Sequence, residues 1–114
     1  MAIRRFLEEL EARLEPAPQA VSGSGSKGKP EFKRYGDGRQ RMKIKCKGLD
    51  VSDGAELQLI SGDAVVAVLE VRKGRAEIDE ERDGSDTAPP LAAGDVVTLC
   101  YQGVPLLSGQ LYLD

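Results

Sequence analysis

The chain has no histidine, no asparagine and no tryptophan in its 114 residues. The first absence removes the commonest general base and neutral metal ligand, and the second removes every acceptor for N-linked glycosylation. Aromatic side chains are few: Phe6, Phe32, Tyr35, Tyr101 and Tyr112. A core therefore has to be assembled from Val, Leu, Ile and Ala. No apolar run approaches the roughly 18 residues needed to span a bilayer, and the opening MAIRRFLEELEARL is too charged for the apolar region of a secretory signal. The expectation is a cytoplasmic protein without membrane association. Cys46 and Cys100 stand 54 residues apart with no C-x-x-C spacing. Their apolar flanks suit either reduced core thiols or a bridge across a sandwich, and a reducing compartment favours the thiols.

The same absences thin the catalytic inventory. Neither thiol has a histidine to activate it. The glycine-rich stretches GDGRQR and GSGSKGK are not followed by a helical pattern, as a phosphate loop requires. The segment DEERDGSD (79–86) compares with a calcium loop in Asp79, Glu81, Asp83 and Gly84, but Glu81 is a poor third ligand and the twelfth position is Pro90, where a bidentate Glu belongs. No catalytic residue, cofactor or metal site is expected, and the chain reads as non-enzymatic.

Three segments divide what is present. Within residues 1–15, Ile3, Phe6, Leu7, Leu10 and Leu14 recur at helical spacing, predicting an amphipathic helix whose apolar stripe docks on a partner surface. Residues 16–30, rich in Pro, Gly and Ser, read as a flexible tether. From 31 to 114 the period changes to two, with glycine turns between short apolar runs, which predicts an all-β domain. Strands are expected near 31–35, 40–47, 55–60, 64–72, 74–81, 95–102 and 104–113. About seven short antiparallel strands make a small β-sandwich or barrel. Residues 54–71 and 94–113 echo each other as strand, glycine turn and strand, suggesting two hairpins packed face to face. AVVAVL (64–69) and VVTLCY (96–101) are apolar on both faces, so each should be central in a sheet or covered from outside.

Charge is distributed unevenly. Residues 27–47 hold nine Lys and Arg against two acids, a local charge of +7, whereas 48–114 sum to −9 and the whole chain to −3. Arg39, Arg41, Lys43, Lys45 and Lys47 alternate along one predicted strand. Glu77, Asp79, Glu81 and Asp83 alternate along another. Arg41, Lys43 and Lys45 are expected to meet Glu77, Asp79 and Glu81, within one subunit or across a contact. The chain reads as a protein-interaction or self-assembly module, a homo-oligomer formed through helix docking and complementary charged strands. The alternative is nucleic-acid binding by the basic tract 27–47, with Phe32 and Tyr35 supplying faces on which bases stack.

Overall fold

The computed structural model describes residues 6–16, 26–35, 39–82 and 91–113, and all regular structure among them is extended. The strands are β1 (Phe6–Glu11), β2 (Glu15–Pro16), β3 (Lys27–Tyr35), β4 (Gln40–Lys47), β5 (Glu56–Ser61), β6 (Ala64–Glu70), β7 (Ala76–Arg82), β8 (Val96–Tyr101), β9 (Val104–Gln110) and β10 (Tyr112–Leu113). They form two antiparallel sheets of five. Sheet A runs β10-β1-β3-β4-β7, and sheet B runs β2-β9-β8-β5-β6. Among the described residues no helix is long and apolar enough to cross a membrane.

The expected amphipathic helix is overturned. Phe6, Leu7 and Leu10 lie in β1, paired on one side with β3 and on the other with β10, and Leu14 forms a bridge to Gly28. Ile3 lies outside the described residues. A spacing of four is also a multiple of two, so Leu10 and Leu14 satisfy either period. Ala12 between them completes a strand face, and all three side chains are buried. The pairing partner decides the outcome: β3 offers an edge that β1 completes, and tertiary hydrogen bonds outweigh the helix propensity of Leu, Glu, Ala and Arg. The expected tether shrinks from both ends as well. Pro16 belongs to β2 and Lys27–Pro30 to β3, while residues 17–25 lie outside the described residues.

The chain changes sheets at Leu14. Leu14 exchanges hydrogen bonds with Gly28, donating to its carbonyl at 2.7 Å and accepting from its amide at 3.1 Å. One residue later, Glu15 pairs with Ser108 of β9 in the other sheet. Two glycines make room for this crossing. A Cβ on Gly28 would stand 2.8 Å from the Cys46 Sγ and 3.1 Å from a Leu14 methyl, and one on Gly109 would run into the Arg13 carbonyl. The opposite side is turned by Lys73 and Gly74 at positive φ (52° and 73°), a two-residue connection whose flanks Arg72 and Arg75 exchange backbone hydrogen bonds. This is the reversal that a KG dipeptide between apolar runs signals. Its two strands then part, β6 into sheet B and β7 into sheet A.

Between these corners lies one apolar cluster shared by the sheets. Leu14, Ile44, Leu57, Leu59, Val71, Val97, Leu99, Leu107 and Leu111 are fully buried, and Leu10, Met42 and Cys46 complete the sheet A side. Each such aliphatic side chain contributes roughly 1.5–3 kcal/mol on burial. The two echoing hairpins, β5–β6 and β8–β9, sit side by side in sheet B through β5–β8 pairing rather than face to face. Nor is β6 central: AVVAVL occupies an outer edge of its sheet.

Gly109→Ala should lower the unfolding free energy by about 1–3 kcal/mol, because the new methyl meets backbone that has no rotamer to escape through. Gly28→Ala should cost less, since a thiol and a leucine methyl meet it. Urea denaturation of the two variants ranks them, and an unchanged midpoint for Gly109→Ala would remove the close crossing from the account.

Candidate functional site

The outward face of sheet A is charged from β1 across to β7. β4 alternates without a fault: Met42, Ile44 and Cys46 are buried, while Arg41, Lys43, Lys45 and Lys47 point away from the core. On one flank the β4–β7 register sets Arg41 opposite Glu81, Lys43 opposite Asp79 and Lys45 opposite Glu77. The two charge stripes are thus neighbours within one subunit. Arg41 donates from Nε and Nη2 to the two carboxylate oxygens of Asp79 at 3.1 and 2.9 Å, a bidentate fork, and Arg39 lies 3.6 Å from Glu81. The hydrogen bonds and charge of Asp79 push the Arg41 guanidinium up, and those of Arg41 hold the Asp79 carboxyl below its ordinary 3.8. Asp83 lies outside the described residues.

On the other flank β3 brings mixed charge. Glu31 faces Lys43 and Lys33 faces Arg41, but Lys29 stands directly opposite Lys45, and Lys27 opposite Lys47. Glu9 and Glu11 follow on β1, opposite Lys33 and Glu31. The carboxylates of Glu9, Glu11 and Glu31 lie within 4.8 Å of one another. The protein supplies their neutralisation itself. Lys29 reaches Glu11 at 3.7 Å and Glu31 at 3.3 Å, Lys33 reaches Glu9 at 3.8 Å, and the Tyr112 hydroxyl donates to the buried Glu11 at 3.0 Å. Those carboxylates raise the Lys29 ammonium, chiefly through its hydrogen bond to Glu31.

The basic stripe therefore divides. Arg39 and Arg41 are engaged by acids of β7, whereas Lys45 and Lys47 form no ion pair with a described residue, and neither does Lys27. These three and Lys29 border a cavity of about 540 Å³ beside the Leu14 crossing. Sequence reasoning counted Lys27 and Lys29 in the basic tract 27–47 but placed them in the tether, and so missed that they pair with Lys47 and Lys45. The signal was present in the β3–β4 pairing, which is symmetric about position 37: extending that hairpin outward carries Lys29 to Lys45 and Lys27 to Lys47.

The remaining candidates fall elsewhere. Tyr35 is buried and Phe32 packs against the core, so neither presents an open face for a base to stack on. Cys46 and Cys100 are free and buried. Burial pushes the Cys46 thiol up to about 12 and raises Cys100 too, so both are protonated and weakly nucleophilic at neutral pH. No protein-family model matches the chain, and no curated protein matches it either.

Two outcomes follow. Arg41→Asp alone should lower stability, and adding Asp79→Arg should recover part of that loss, because the pair is reversed rather than removed. The coupling, read from thermal midpoints, should shrink in about 1 M salt, where the screening length is about 3 Å. Strict additivity would mean that the fork contributes nothing. The pH dependence has a definite sign. A carboxyl depressed in the folded state adds stability above its unfolded value and loses it as pH falls through the folded one. The difference between the wild type and Asp79→Asn should therefore be full at neutral pH and fade on the acid side of 3.8.

Proposed function

We propose that this chain is a non-catalytic interaction module that self-associates in a reducing cytoplasm, as a small sandwich-like domain whose contact surface is the outward face of sheet B. One observation carries the reading: that face is almost uncharged and exposes Val65, Val68 and Val96, each about half accessible (46, 45 and 53%). Register places Val68 beside Gln58 and Cys100, and Val65 beside Ile60 and Thr98, so these side chains share one surface. The only acids on β5 and β6, Glu56 and Glu70, face each other at one end.

The edges support the same surface. β10 and β2 are two residues long, β2 ends in Pro16, and β7 carries Glu77, Asp79, Glu80 and Glu81, all devices that keep other strands away. The β6 edge has neither lysine nor proline, only a register irregularity opposite Leu59 and Ile60. A second copy is the fitting occupant, because a two-fold contact sets a surface against itself and a near-neutral surface meets its own image without repulsion. The charged face of sheet A lacks that property. Two buried thiols fit a reducing compartment. The alternative, nucleic-acid binding by residues 27–47, is supported by the lysines bordering the cavity and weakened by carboxylates on both flanks and by the burial of Tyr35.

Light scattering over a concentration series tests the reading. The wild type should approach a dimer mass, and Val65→Lys with Val68→Lys should weaken association at least about tenfold, the loss of two partly buried valines. The denaturation midpoint of the dissociated species should change little. A wild type that stays monomeric at its highest soluble concentration would end the proposal.

A further inference from the structure

Lysines directly opposite one another on neighbouring strands repel, and sheets ordinarily avoid the arrangement. Here it occurs twice in succession: Lys27 faces Lys47 and Lys29 faces Lys45, on the outward side of β3 and β4. Cross-strand partners lie about 4.5–5.5 Å apart at Cα, and residues two apart on a strand about 6.6 Å. The four ammonium groups therefore rise from the corners of a rectangle smaller than a nucleotide. Three of them, Lys27, Lys45 and Lys47, form no ion pair with a described residue, although Lys45 has Glu77 across the strand from it. Arg13 and Arg75 add two further cations to the lining of the same cavity, and only Glu15 and Glu77 oppose them there.

The rest of the sheet A face shows what this corner lacks. The neighbouring outward rows hold at least as many carboxylates as cations: Glu9 and Glu81 bracket Lys33 and Arg41, and Glu11, Glu31 and Asp79 surround Lys43, whereas the Lys29–Lys45 row has only Glu77 at its β7 end. Charge is balanced there from within the chain. At the cavity it is not, and the concavity of about 540 Å³ lies within the range of small-molecule sites. Leu14 and Gly28 give it an apolar part beside the cations.

We infer that the cavity bordered by Lys27, Lys29, Lys45 and Lys47 binds a compact organic or inorganic oligophosphate, its linked phosphoryl groups lying between the two opposed lysine pairs. Ammonium groups on flexible stems act as point charges toward phosphate oxygens. Two or three linked phosphoryl groups satisfy several lysines at once and remove the mutual repulsion. A long polyanion fits less well, because the carboxylates of β1 and β7 stand where its continuation across the sheet would run. The inference is independent of the self-association through sheet B, which uses the opposite face.

Calorimetric titration of the full chain with tripolyphosphate, ATP and AMP at about 50 mM salt, a condition generous to phosphate contacts, is the test. Tripolyphosphate should bind one per chain, weakening as salt rises, and AMP should bind much more weakly. ATP at the same affinity as tripolyphosphate supports recognition of the phosphate chain alone, and tighter ATP binding supports an added contact with the apolar part. Lys45→Gln and Lys47→Gln should each weaken tripolyphosphate roughly tenfold, the scale of one charge-assisted contact. Lys43→Gln, on the same stripe but outside the cavity, should change it little. Without ligand, Lys27→Gln and Lys47→Gln should keep or raise the thermal midpoint, since each removes one member of a repelling pair. A purely structural role for these lysines would lower it. Three results overturn the inference: no tripolyphosphate binding, equal weakening by Lys43→Gln, or single-stranded DNA binding that grows with length and is not displaced by tripolyphosphate.

Discussion

Everything in this small domain depends on the chain crossing from one sheet to the other at Leu14. With only about eighty residues of strand and turn, neither sheet buries enough apolar surface by itself, so the two have to be joined at their margins. Leu14 does this on one side. It is hydrogen-bonded to Gly28 of sheet A, while Arg13 and Leu14 pass close to Gly109 of sheet B, and both glycines are places where a side chain would push the sheets apart. The Lys73–Gly74 turn joins the other side. Between these margins the aliphatic core closes without tryptophan, and with Phe32 only partly buried against it.

That closure leaves two outward faces of opposite character. Sheet A turns a lattice of charge to solvent, matched along most of its rows by ion pairs and by the Arg41–Asp79 fork. Exposed pairs of this kind contribute little stability each. Their larger consequence is exclusion, since a face studded with alternating charge is a poor surface for apolar contact. Sheet B presents valines and uncharged polar groups instead. Charge matching fails on sheet A at one place, the corner nearest the Leu14 crossing, where β3 and β4 extend past the acids of β1 and set lysine against lysine.

Much of this was legible in the chain. Alternation in MKIKCK defines β4 and its faces, and KG and QG mark two reversals at positive φ. The segment around Leu10 was not legible as a strand, because spacings of four satisfy helix and strand alike and its residues favour helix. The deciding partner, β3, lies beyond residues 17–25. The pairing of Lys27 and Lys29 was hidden for a related reason: glycine, serine and proline around them resemble a tether, yet a paired strand accommodates Gly28 where the chain needs close approach, and Pro30 still accepts from the Ala12 amide without donating one.

From residue 31 onward the sequence by itself determined that the chain is built of strands, which residues of β4 face inward, where the glycine turns fall and that the cations and acids lie on separate stripes. These are local properties, set by alternation and by the conformational freedom of glycine. Only the tertiary structure decided which strands became neighbours: that the echoing hairpins share one sheet, that β6 is an edge, that the acids of β7 lie against β4, and that two lysine pairs face each other beside a cavity. Strand pairing is non-local. Its register comes from burying one common core and closing both margins of the sheets together, and no single stretch of the chain contains that condition.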